Sequence, residues 1–163
     1  MRYQFLETPI GPLLLAGNEC LELIGFPSGK GSFKPETDWV EQSDAFPEAA
    51  RQLTEYFKGE RQQFDLALKP HGTPFQLEVL SALMEIPYGE TRSYAEIAVQ
   101  IGRPKAVRAV GAANGRNPLP IVIPCHRVIG KNGSLTGFGG GLPLKQKLLE
   151  LERRQIQPEL ALA

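Results

Sequence analysis

The spacing of apolar residues changes at one place, Lys69-Pro70-His71-Gly72-Thr73-Pro74, and that change limits the possible folds more than any other feature of the chain. Upstream, the apolar residues come in short runs, YQFLET, LLLAG and LELIGF. Pro9-Ile10-Gly11-Pro12 and Gly17-Asn18 separate them, the pattern of a three-strand meander. Residues 29–43 are rich in Gly, Ser, Pro and charge and read as a loop. Residues 47–57 place Ala50, Leu53 and Phe57 at helical spacing with Gly59 as a stop, and 64–68 alternate as a strand does. Downstream the period is helical. Thr73 caps a helix with Pro74 in its first position and Phe75, Val79, Leu80 and Leu83 on one face, ending at Pro87-Tyr88-Gly89. Ser93-Tyr94-Ala95-Glu96 is a capping box that opens a helix ending at Gly102, and Arg103-Pro104 opens another over 105–114. Two short helices joined by a tight turn are a helix-turn-helix candidate. Pro143 starts a last helix with Leu144, Leu148 and Leu151 as its buried stripe. The expectation is an α+β chain with a strand-rich domain over 1–72 and a mainly helical one over 73–163.

Charge follows the same division. The chain is neutral overall, but residues 1–72 hold seven Lys/Arg against eleven Asp/Glu, and 73–163 hold eleven against seven. A basic half on a neutral chain suggests a polyanion site on one face, although a solvated basic surface has the same composition. The 163 residues allow one or two small domains with an apolar core. No apolar stretch is long enough to span a bilayer, and the N-terminus, broken by Glu7 and two prolines, does not read as a signal peptide. Two distant cysteines, Cys20 and Cys125, make no disulfide framework and suit a reducing cytoplasm. With His71 and His126 they are too scattered for a closed zinc site, so no metal is expected.

Two segments carry chemistry. The helix over 105–114 is built from Ala106, Ala109, Gly111, Ala112 and Ala113, with Val107 and Val110 packing inward and Arg108 as one long cation. Small side chains permit close approach, either to a neighbouring helix or to a DNA groove whose base stack Arg108 could enter. The second segment is Ile121-Val122-Ile123-Pro124-Cys125-His126-Arg127-Val128, where an apolar strand runs into a thiol, an imidazole and a guanidinium. A free thiol has a pKa of about 8.5, and a neighbouring His and Arg are groups that raise its thiolate fraction. Adjacent side chains on an extended chain point apart, so His126 meets Cys125 through a bend or acts through a water. Its other ring nitrogen needs a partner. Glu152, on the edge of the last helix's stripe, is a candidate, whereas Glu150 points elsewhere. Gly137-Phe138-Gly139-Gly140-Gly141 lacks the Lys-Ser/Thr of a phosphate loop and suits a backbone touching a flat ligand with Phe138 as a wall, or a plain linker.

These residues resemble the 6-O-alkylguanine-DNA alkyltransferases, also called methylated-DNA–protein-cysteine methyltransferases. Ile123-Pro124-Cys125-His126-Arg127-Val128 matches their signature. Arg92-Ser93-Tyr94 with residues 104–111 resembles their helix-turn-helix, Asn117-Pro118 their hinge, and Gly139-Gly140-Gly141 with residues 145–152 their lid and last helix. The likeness is strong over 74–153 and weak before it, and is to the stand-alone bacterial type. It implies a ribonuclease-H-like α/β domain followed by a winged-helix-like domain with a helix-turn-helix. It also implies single-turnover repair of 6-O-alkylguanine, and of 4-O-methylthymine, in double-stranded DNA bound through the minor groove, with no cofactor, no obligate protein partner and a monomeric state. By resemblance Cys125 is the permanent acceptor, His126 takes its proton through a water, and Glu152 orients His126. Arg108 fills the stack left by a flipped base, and Tyr94 crowds the phosphate and protonates the departing base. Ser93, Ala106, Ala109 and Arg116 join Arg108 and Tyr94 on the DNA. The Val128 carbonyl and Gly139 amide read the base edge, Asn117 braces the turn, and Phe138 and Lys145 complete the base site. Phe138 stands where many members have Tyr, and the zinc ligands some members carry in the first domain are incomplete.

Three other readings compete. A regulator using the helix-turn-helix alone needs base-reading side chains where this chain has Ala and Gly. The family's non-catalytic relatives replace the Cys that is present here as Cys125. A thiol hydrolase built on Cys125, His126 and Glu152 turns over and has no use for a basic face.

Overall fold

A computed structural model describes residues 1–131, 138 and 141–156. The expected meander is present: β1 (Arg2–Leu6), β2 (Leu13–Gly17) and β3 (Leu21–Gly25) pair antiparallel in turn. A two-residue strand, β4 (Val40–Glu41), adds parallel to β1, giving the order β3-β2-β1-β4. The 29–43 segment is therefore not loop throughout. Strand β2 is buried along its whole length, as a central strand covered on both faces must be.

Helix α1 (Pro47–Phe57) covers the sheet. It has no side-chain cap, but the Gln4 amide oxygen on β1 accepts from the Phe46 N–H at 2.7 Å and fixes its entry. Its buried row is Ala49, Gln52, Leu53 and Tyr56, one residue round from the expected Ala50 and Phe57, which are half-buried. The 64–68 segment is not a strand. Its alternation in burial is real, but only Leu68 makes a bridge, to Leu21. At its start the Gln52 amide takes the place of a strand, donating to the Asp65 carbonyl and accepting from the Asp65 N–H, both at 2.9 Å.

The second part has α2 (Pro74–Met84), β5 (Arg92–Ser93), α3 (Tyr94–Gln100), α4 (Val107–Gly115), β6 (Val128–Ile129) and α5 (Leu142–Ile156). Reciprocal capping boxes, Thr73 with Gln76 and Ser93 with Glu96, start α2 and α3. Helix α4 starts at Val107, two residues after the expected Lys105. Residues 103–106 close a turn first, through the Ala106 N–H on the Arg103 carbonyl. Its inward row is Val110, Ala113 and Asn114, which leaves Val107 exposed on the rim and corrects its expected inward packing. In α5 the buried row is Lys145, Leu148, Leu149 and Glu152, with Leu144 and Leu151 half-buried beside it.

The apolar run before Cys125 is not a strand either. Pro118, Pro120 and Pro124 remove ladder donors, and residues 121–124 turn instead, with Ile121 at φ 75. Burial on every side, rather than in a sheet, accounts for its apolar character. One core runs through both halves, from Leu15 and Leu53 to Leu83, Val110 and Leu148. The Ile24 N–H on β3 donates to the Pro118 carbonyl at 2.8 Å, so the meander's outer strand is tied to the segment that leads into Cys125.

Candidate active site

Cys125, His126 and Arg127 form one turn of 3-10 helix, and all three are buried. This turn is the bend that turns successive side chains in different directions. Asn117 holds the approach: its amide donates to the Ile123 carbonyl at 2.8 Å, and its oxygen accepts from the Leu119 N–H at 2.9 Å. Asn114, on α4, donates to the Cys125 carbonyl at 3.3 Å. The thiol lines a small cavity with Asn117, Asn114 and Phe138. Ile24, Phe26 and Phe33 of the first part complete it. Its free volume is about 20 Å³, room for a water and far short of a purine. Phe138 lines this cavity and packs on Phe26, the residue just after β3, with ring centroids 5.4 Å apart.

Burial pushes the Cys125 thiol up to about 11, against the opposing pull of a hydrogen bond from Asn117 and the charge of Lys145. The expected low-pKa thiol is therefore corrected: at rest the sulfur is protonated. Arg127 does not lower it, because its guanidinium turns to Glu152 and the Ile86 carbonyl.

Glu152 lies fully buried on α5, as its place on the stripe predicts. Oε2 accepts from His126 Nε2 at 2.6 Å, from Tyr56 Oη at 2.7 Å and from Arg127 Nη2 at 3.1 Å. Oε1 accepts from Arg127 Nε at 2.9 Å and the Gly89 N–H at 3.0 Å. Burial opposes ionisation of this carboxyl, but His126 and Arg127 overcome it and hold its pKa down at about 2. An ionised carboxylate only accepts, so His126 carries its proton on Nε2. Burial lowers the pKa of His126 against the pull of Glu152, which favours the neutral ring. Nδ1 is then a bare acceptor, buried and without a protein partner among the described residues. The site thus holds a thiol whose ionisation burial opposes, next in the chain to an imidazole bonded through Nε2 to a carboxylate.

Lys145 is buried on α5, donates to the Val128 carbonyl at 2.5 Å and lies 6.0 Å from the Tyr94 ring centre. Its desolvation lowers its pKa to about 8. Pairing of β5 with β6 sets Arg92 and Ser93 against Val128 and Ile129, which brings Tyr94 to the same corner. Ser93 spends its hydroxyl on the Glu96 N–H as a cap. On α4, Arg108, Ala109, Ala112 and Gly115 are exposed at spacings of one, four and seven residues, a single open face, and Arg116, the C-cap residue, is exposed beside it. Ala106 is half-buried at its edge. Gly139 lies outside the described residues.

Sequence reasoning missed Tyr56, Gly89, Asn114 and the direction of Arg127. Arg127 stood in the motif itself, and a buried arginine needs an acid. Tyr56 is 96 residues from Glu152 and left no local signal beyond its place on the buried face of α1.

Comparison with known proteins covers both halves. Residues 1–70 match the family described as 6-O-methylguanine DNA methyltransferase, ribonuclease-like domain, and 74–154 match 6-O-methylguanine DNA methyltransferase, DNA binding domain. A methylated-DNA–protein-cysteine methyltransferase of Methanosarcina barkeri is 56% identical over 158 residues, covering 96% of this chain and 100% of that one. The crystal structure of Mycobacterium tuberculosis OGT in complex with DNA superposes with a TM-score of 0.90 at 49% identity, covering 99% of each chain. That of O6-methylguanine-DNA methyltransferase from Pyrococcus kodakaraensis, at 21% identity and a TM-score of 0.60, shares the fold. With two domain models in order and near-full-length relatives at half identity, the chain belongs to the 6-O-methylguanine DNA methyltransferase family.

Proposed function

We propose that this protein repairs 6-O-alkylguanine in duplex DNA by moving the alkyl group, once and irreversibly, onto Cys125. The observation that carries this reading is the buried thiol next in the chain to His126, whose ring is bonded to the Glu152 carboxylate, behind a helix whose open face includes Arg108, Ala109 and Ala112. Relatives named methylated-DNA–protein-cysteine methyltransferases and one solved on DNA support it.

The chemistry runs as follows. Cys125 gives its proton, through a water, to Nδ1 of His126, and Glu152 stabilises the imidazolium. The sulfur attacks the alkyl carbon, the carbon–O6 bond breaks, and its electron pair returns to the guanine ring, which takes a proton from the Tyr94 hydroxyl. A thioether remains, which has no leaving route. A thiol held near 11 is useful for storage: the nucleophile forms only when base and substrate are in place. The lesion reaches the cavity only when flipped from the stack, and the cavity must widen to admit it. Arg108 takes the vacated space while Ala109 and Ala112 let α4 lie close in the minor groove. Ser93, Ala106 and Arg116 flank that contact. The Val128 carbonyl, which keeps a second lone pair beside the one Lys145 uses, and the Gly139 amide read the base edge, against Phe138 and with Asn117 bracing the turn. Cys20 and Cys125 are both free thiols, which suits a reducing cytoplasm. Among the described residues no helix is long and apolar enough to cross a membrane.

The test follows the DNA. A duplex with one 6-O-methylguanine is expected to return to unmodified guanine with no abasic site and no strand break. An excised base would contradict direct transfer. Arg108→Ala is expected to lose roughly 10²-fold in rate on duplex, the scale of a few kcal/mol of unstacking, and under threefold on free 6-O-benzylguanine. Equal losses on both would return Arg108 to a structural role.

A further inference from the structure

The first domain reaches the proton relay through one atom. Tyr56, fully buried on α1, donates its hydroxyl to the same Glu152 oxygen that accepts from His126. We propose that Tyr56 is a positioning residue that draws charge from Glu152 and so keeps His126 a neutral base, which makes docking of the first domain part of the catalytic relay. The inference rests on the transfer reaction proposed above and adds a polar part to the apolar wall that the first domain already gives the site.

Glu152 is held from five directions, so loss of one donor leaves it in place. Oε1 keeps Gly89 and Arg127, and Oε2 keeps Arg127 and His126. What changes without the Tyr56 hydroxyl is the distribution of charge. A carboxylate oxygen shared among three donors gives each a part of its field, and with two donors each receives more. The imidazolium form of His126 then becomes easier to reach. The phenol itself does not ionise, since burial and the charge of Glu152 raise its pKa well above the ordinary value. It is a donor at every working pH.

The other groups facing His126 and Glu152 are fixed in charge over that range or lie apart from the shared oxygen. Arg127 is a permanent cation on both carboxylate oxygens, and Tyr88, with its pKa at about 12, is neutral against the Arg127 guanidinium. Lys145 is the exception, with its pKa at about 8, but it points to Val128 and adds its own limb on the alkaline side. Cys125 is the relay's proton source. The acid limb of the reaction therefore reports His126.

The experiment is single-turnover alkyl transfer against pH with full-length wild type, Tyr56→Phe, Glu152→Gln and the double variant. The His126 ring is titrated by NMR in the same proteins. In Tyr56→Phe the acid limb and the imidazole titration both move up by about half a pH unit. In the Glu152→Gln background, Tyr56→Phe moves neither. A site-specific 3-fluorotyrosine at 56, a stronger donor, moves both down and serves should the Phe variant not fold. An unmoved limb with a uniformly lower rate, or an equal shift in the Gln background, overturns the proposal in favour of a packing role. The ring titration does not depend on turnover. If wild type transferred nothing, the proposed reaction would fail while the coupling of Tyr56 to His126 was still measured.

Discussion

Cys125→Ser is expected to bind a duplex carrying 6-O-methylguanine and to transfer no alkyl group. The replacement is nearly isosteric in a tightly filled site, so the fold and the α4 face are retained. A serine hydroxyl is a far weaker nucleophile at neutral pH, and His126 with its lowered proton affinity is not strong enough to ionise it. The rate falls by at least about 10⁴-fold, which amounts to loss of the step. Binding is read by titration of a fluorescent duplex, and transfer by the alkyl content of the protein. Alkyl appearing on Cys20, the half-buried second thiol, would contradict the assignment.

Glu152→Gln is expected to cost both activity and stability. The amide cannot balance Arg127, whose guanidinium stays buried with three of its donors built around that carboxylate and the Ile86 carbonyl. Removing one partner of a buried pair costs about 3–5 kcal/mol, far more than an exposed pair would. Transfer at neutral pH falls by about 10²-fold because the imidazolium that must form loses its anion, and activity recovers only as the pH rises toward the thiol's own ionisation. The acid side gives the matching signature. Glu152 has its pKa depressed in the fold, from the ordinary 4.5 to about 2. Its contribution is therefore complete above about 4.5 and is lost as the pH falls toward 2. In wild type, melting temperature drops across that window, and in the Gln variant this part of the drop is absent. An unchanged melting temperature and an unshifted pH profile would place Glu152 outside the relay.

Legibility in the sequence followed distance along the chain. The capping boxes at Thr73–Gln76 and Ser93–Glu96, the limits of α1 and the core-facing side of Glu152 depend on residues three or four apart, and all were readable. What depends on distant partners was not. The alternation at 64–68 is genuine, yet the backbone at Asp65 pairs with the amide of Gln52 rather than with a strand. The apolar run 121–124 is buried by its surroundings rather than by a sheet. The thiol offers the plainest case. Beside His126 and Arg127 in sequence, Cys125 looked activated. In space the turn sends Arg127 to Glu152, and burial makes the resting sulfur harder to ionise. The open face of α4 was legible as small residues around Arg108, but the inward face was needed to show that Val107 does not pack inward.

The central claim is tested most directly by the mass of the protein after reaction with a duplex containing one isotope-labelled 6-O-methylguanine per strand pair. One labelled methyl per protein molecule is expected, on the peptide that contains Cys125, retained through dialysis and never exceeding one with excess DNA. Label released to solvent, more than one methyl per chain, or label on any peptide without Cys125 would contradict it.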